Sequence, residues 1–130
     1  MKSKRPVNLS LSTVLAVNLK SPVAISSILH RASGVVVFLL IPVLLYVLQQ
    51  SLESPTSYVE LQQGFLGGFV GSALVFIALA AMLFHLIIGA KHLLQDFGIG
   101  ETLQGGRTFA TVALVLAAAS ILAALVWMVM

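Results

Sequence analysis

A chain of 130 residues in which 59% are hydrophobic and only 8% charged lies outside the composition of soluble domains and within that of polytopic membrane proteins. It has no Cys, which excludes disulfides, thiolate metal sites and the C-x-x-C-H attachment of covalently bound haem. Its formal charge of +3 comes from seven Lys and Arg with no aromatic-interleaved patch, a pattern that fits membrane orientation rather than nucleic-acid binding.

Residues 1–20 carry Lys2, Lys4, Arg5 and Lys20 among Ser, Asn and Leu. They lack the apolar stretch of a cleavable signal peptide and read as a retained, cytoplasm-facing amphipathic lead-in. Ser21-Pro22 predicts a helix start, with Ser at the N-cap and Pro at the first helical position, where its missing N–H costs nothing. The apolar part of this first helix, Gly34 to Leu48, has 15 residues, whereas about 20 are needed to cross a hydrocarbon layer of about 30 Å. The polar segment before it, Ser26 to Ser33, is therefore predicted to lie partly inside the membrane. Within it Ser27, His30, Arg31 and Gly34 share one face at i, i+3, i+4 and i+7. Pro42 predicts a kink further along.

Gln49 to Gln63 reads as a polar loop with Pro55, Glu53 and Glu60 and no Lys or Arg, which places it on the outer side. The second helix opens with Gly64, Gly67, Gly68 and Gly71, whose four-residue spacings predict close packing against another helix. It closes on His85, Gly89, His92 and Asp96 at i, i+4, i+7 and i+11, a polar face on an apolar helix. Such a face must look into a protein interior or a cofactor, because an uncompensated polar group costs several kcal/mol in hydrocarbon. Lys91 to Arg107 is the predicted second loop, which puts His85 about 9 Å from the membrane surface at 1.5 Å per residue. The third helix is uninterrupted and apolar, with Ala113, Ala117, Ser120 and Ala124 on a face suited to packing. The expectation is one all-α, integral membrane domain over residues 1–130 without internal repeat, with transmembrane helices at about 22–49, 65–91 and 108–130. All seven basic residues fall on one side, so the N-terminus and second loop are expected in the cytoplasm and the C-terminus outside.

Two helices thus bring Ser27, His30, Arg31, His85 and Asp96 toward the same leaflet. A neutral imidazole at His85 is a natural axial ligand for haem iron, with Gly89 one turn on removing a side chain that would meet the porphyrin. The alternative is a histidine hydrogen-bonded across helices. His92, two turns further along, cannot bind the same iron and reads as a solvated headgroup-zone residue. Ser27 and Arg31, at i and i+4, can together bind a carbonyl oxygen and stabilise the anion formed as it is reduced. Their alternatives are a backbone-bonding serine and an arginine snorkelling to the interface. Asp96 is either a helix-end carboxylate or, beside Arg31, a route for protons.

Three motifs, Arg5-Pro6-Val7-Asn8-Leu9, then Ser27-x-x-His30-Arg31-x-x-Gly34, then His85-x-x-x-Gly89-x-x-His92-x-x-x-Asp96-x-Gly98, together resemble the cytochrome b membrane-anchor subunit of succinate dehydrogenase over essentially the whole chain. Lys91 stands where that family commonly carries Arg, which weakens any bidentate contact there. The resemblance implies half of a two-subunit, haem-binding helix bundle in the bacterial inner membrane, within succinate:ubiquinone oxidoreductase, the respiratory complex II that links the tricarboxylic acid cycle to electron transport. The partners would be a second anchor, an iron–sulfur subunit and a flavoprotein, with FAD and the iron–sulfur clusters held there. By motif position His85 would be one axial ligand of haem b and the second anchor would provide the other. His30 and Arg31 would lie near the propionates, and Ser27, Arg31 and Asp96 would serve the ubiquinone site. The chain would not be catalytic alone. The rival readings are the anchor of a quinol:fumarate reductase and a structural subunit that holds no cofactor.

Overall fold

The computed structural model describes residues 10–130, so the basic residues Lys2, Lys4 and Arg5 and the motif at 5–9 lie outside the described residues. The described chain runs through α1 (Leu11–Asn18), α2 (Pro22–Glu53), α3 (Pro55–Leu61), one π-helical turn (Gln62–Leu66), α4 (Phe69–Asp96) and α5 (Leu103–Val129), with no strand among these residues. The helices α2, α4 and α5 are each long and apolar enough to cross a membrane. The protein is therefore an all-α, multi-pass membrane protein.

Helix α2 begins as expected, with extended backbone at Ser21 and Pro22 at the first position, although the Ser21 side chain makes no capping bond. It passes through Pro42 without a break and ends at Glu53, beyond the expected boundary. The segment from Gln49 to Gln63 is thus helical rather than a loop. Gln49, Gln50 and Glu53 are good helix formers, and what stops α2 is Pro55, whose ring disfavours helical geometry at the preceding residue. Ser54 then caps α3, accepting from the Ser57 amide at 3.0 Å.

The glycine cluster does not pack against another helix. A Cβ at Gly71 would run into the Phe65 carbonyl and stand 3.1 Å from Leu66 Cα. These glycines let the start of α4 fold back onto its own π-helical turn, which the Ser72 hydroxyl fastens by donating to the Leu66 carbonyl at 2.8 Å.

Helix α4 also outruns its expected end. It closes at Asp96, where Gly98, at φ +83°, adopts the left-handed geometry of a Schellman stop. Its amide reaches the Gln95 carbonyl at 2.9 Å and the Ile99 amide reaches Leu94 at 3.2 Å. Lys91 therefore lies inside the helix and is 2% exposed. His85 stands eleven residues before the helix end, about 16 Å at 1.5 Å per residue, farther from it than a loop starting at Lys91 implied. Thr102 caps α5 through the Gly105 amide at 3.0 Å, so that helix starts at Leu103.

Helix α4 packs against both α2 and α5. On α5 the buried stripe is Gly106, Ala110, Ala113 and Ala117, at i, i+4, i+7 and i+11, which allows close backbone approach. Ser120 and Ala124 continue it only as half-buried residues. Outward faces carry exposed Phe38, Leu86 and Trp127, as contact with lipid or a partner subunit requires.

Candidate functional site

The site is built where α2 and α4 cross antiparallel, Ser26 meeting Lys91, His30 meeting Gly89, and Gly34 meeting His85. Two overlapping faces of α2 take part. Ser26, His30 and Ser33, at i, i+4 and i+7, face α4; Ser27 and Arg31, one position on, border an adjoining cleft.

His85 is held by its Nδ1, which lies 3.1 Å from the backbone carbonyl oxygen of His30 and 3.2 Å from Ser33 Oγ. A carbonyl oxygen only accepts, so Nδ1 carries the proton and donates it. Nε2 is left with its lone pair, the tautomer a metal-ligating imidazole needs.

The His30 and His85 rings stack with centroids 4.1 Å apart and planes 14° from parallel. Each ring lies over a glycine of the other helix. A Cβ on Gly34 would stand 3.0 Å from His85 Cε1, and one on Gly89 would stand 3.3 Å from His30 Nε2. The missing side chain at Gly89 thus makes room for the His30 ring, and Gly89 also borders the adjoining cleft. His30 Nε2 is buried with no hydrogen-bond partner among the described residues.

A cleft of about 460 Å³ opens beside these rings, lined by Ser27, His30, Arg31, His85, Gly89, His92 and Leu93. Four of the expected site residues, Ser27, His30, Arg31 and His85, thus share one space. His92 lines it too, with its ring 5.3 Å from that of His30. Asp96 does not line the cleft; it is exposed at the last residue of α4, one turn past His92. No group of three or more His, Asp or Glu is placed to hold a bare metal ion among the described residues.

Sequence reasoning gave no specific contact to four contributors, although it placed Gly34 on the polar face of α2. Ser33 and Gly34 contact His85, and Lys91 reaches across to Ser26 Oγ at 3.4 Å, with Ser26 fully buried and itself donating to the Val23 carbonyl at 2.9 Å. The spacing 26, 30, 33 was the available signal, since it marks a second polar face beside 27, 30, 31, 34.

Residues 1–124 match the family described as Succinate dehydrogenase/Fumarate reductase transmembrane subunit. The succinate dehydrogenase cytochrome b556 subunit of Coxiella burnetii (strain RSA 493 / Nine Mile phase I) is 41% identical over 128 residues, covering 98% of this chain and 98% of that protein. With three membrane-spanning helices and a match along almost its full length, the chain belongs to the succinate dehydrogenase/fumarate reductase transmembrane subunit family and is a membrane anchor of that complex.

Proposed function

We propose that this anchor, with a second anchor subunit, holds haem b through His85 and forms the site where ubiquinone takes electrons from the iron–sulfur subunit. The observation that carries this reading is the His85 imidazole, fixed through Nδ1 by the His30 carbonyl and Ser33, with Nε2 free and the ring bordering the cleft.

The residues fit a haem. A single oriented imidazole would suit haem iron, the rest of whose ligands would come from the macrocycle and from outside this chain. The Arg31 guanidinium, bordering the cleft beside the His30 ring, offers donors to carboxylates, the chemistry of propionates. The printed name of the Coxiella burnetii relative, a cytochrome b556, supports the same assignment. When bound, haem supplies a one-electron redox centre.

For ubiquinone, Ser27 and Arg31 border the cleft one helical turn apart. Reduction places negative charge on a quinone oxygen, which a guanidinium and a hydroxyl stabilise as it develops. Asp96, exposed a turn beyond His92, is the carboxylate placed to pass protons from the aqueous side. In the bacterial inner membrane, the basic residues would favour a cytoplasmic N-terminus and a periplasmic C-terminus. FAD, the iron–sulfur clusters and succinate oxidation belong to the partner subunits.

The test is the reduced-minus-oxidised spectrum of the purified complex. His85→Ala should lose or grossly alter the b-type bands, and His92→Ala should keep them. A normal six-coordinate spectrum in His85→Ala would remove it as the ligand.

A further inference from the structure

We propose that Ser33 is a positioning residue for His85: its hydroxyl, anchored on the His30 carbonyl, accepts a hydrogen bond from Nδ1–H and so strengthens electron donation from Nε2 to the iron. This rests on the reading of His85 as an axial ligand.

Three atoms form a closed triangle. Ser33 Oγ lies 2.8 Å from the His30 carbonyl oxygen and 3.2 Å from His85 Nδ1, and Nδ1 lies 3.1 Å from that same carbonyl oxygen. The hydroxyl has one proton and the carbonyl has none. If Ser33 instead donated to Nδ1, the imidazole lone pair and the His30 carbonyl oxygen would face each other at 3.1 Å with no proton between them. With the proton on Nδ1, every contact is paired: Ser33 donates to the carbonyl, and Nδ1–H is shared between that carbonyl and Ser33 Oγ. The serine's own helix presets this state, because a hydroxyl bonded to the carbonyl three residues back has its lone pairs turned outward. Ser33 is only 9% exposed, so water does not replace it, and the 3.0 Å approach between a Gly34 Cβ and His85 Cε1 shows how little the ring can shift.

An acceptor on the far nitrogen of a metal-bound imidazole raises its basicity and favours the oxidised metal. Ser33→Ala keeps the carbonyl and removes the second acceptor, and Ser33→Thr keeps the hydroxyl. Potentiometric titration of haem b in the purified complex should show Ser33→Ala favouring the reduced state by roughly two- to tenfold, up to about 59 mV for a one-electron couple. Ser33→Thr should titrate with the wild type. If Ser33→Ala fails to retain haem, its return in Ser33→Thr supports the role, and loss in both overturns it.

A wild-type midpoint and low-spin spectrum in Ser33→Ala overturns it, as does a Ser33→Thr shift as large as that of Ser33→Ala. Failure of the underlying reading looks different. A six-coordinate spectrum in His85→Ala would end both, whereas haem loss in His85→Ala beside a silent Ser33→Ala would end this proposal alone.

Discussion

Gly34 and His85 are in van der Waals contact across α2 and α4, so close that a single added methyl group would stand 3.0 Å from Cε1 of the ring. The neighbour there is the imidazole held by the His30 carbonyl and Ser33, so relief must come from moving the ring or parting the helices. Gly34→Ala should therefore cost about 1–3 kcal/mol by overpacking and disturb the b-type spectrum. Gly89→Ala, with its Cβ 3.3 Å from His30 Nε2, should do less. Spectra and thermal inactivation of the two variant complexes check the order; a harmless Gly34→Ala beside a damaging Gly89→Ala would reverse it.

The Lys91–Ser26 contact gives a second prediction, because an ammonium 2% exposed faces a fully buried hydroxyl at 3.4 Å. Ser26→Ala leaves that charge without its acceptor and should cost about 1–3 kcal/mol. Lys91→Met removes the charge, and Ser26 keeps its own bond to Val23, so this change should be better tolerated. Adding Lys91→Met to Ser26→Ala should recover part of the stability. Strictly additive losses in thermal inactivation would mean that the two side chains do not support one another.

The three spans were legible because apolar runs of membrane length have few other uses, and the polar face of α4 was legible because polar residues at helical spacing stand out against hydrocarbon. Boundaries were less so. Gln49, Gln50 and Glu53 read as loop by polarity, yet they are helix formers beyond the apolar core, and α2 stops only where Pro55 forces it. Lys91 read as surface because it is charged, but burial depends on what α2 places opposite, and Ser26 is not adjacent in sequence. The register of α2 on α4 is set by Gly34 and Gly89 acting as a pair, each beneath the other helix's histidine. Neither glycine has that meaning alone, so the His30 ring over Gly89 and Ser33 beside His85 are legible only once both helices are in place.

Orientation can be read by fusion reporters. Lys20 precedes α2, Lys91 lies near the end of α4 and Arg107 lies near the start of α5, whereas Glu53 and Glu60 lie at the far end of α2 and in α3. Three spans would put Lys20 and Met130 on opposite sides of the membrane. A periplasm-dependent reporter after Met130 should be active, and one in the turn at 97–102 should be silent. The opposite pattern would invert the protein and move the cleft to the other leaflet.

The final prediction separates quinone chemistry from anchoring, and it rests on Ser27 and Arg31 bordering the same cleft as His85. A water-soluble dye takes electrons from the complex before they reach the membrane. Ser27→Ala and Arg31→Leu should therefore leave succinate oxidation by dye near normal while ubiquinone reduction falls. Losing one charge-assisted hydrogen bond, worth about 1.5–3 kcal/mol, lowers a rate by roughly 10- to 150-fold if the bond acts in the transition state. Arg31→Leu should cost more than Ser27→Ala, because a cation stabilises developing negative charge more strongly than a neutral hydroxyl does. Asp96→Asn should slow ubiquinone reduction least at low pH, where protons reach the quinone without a dedicated carboxylate. Full ubiquinone reductase activity in assembled Ser27→Ala and Arg31→Leu complexes would make both residues structural. Joint loss of dye and quinone activity in Arg31→Leu would instead assign that guanidinium to assembly of the complex.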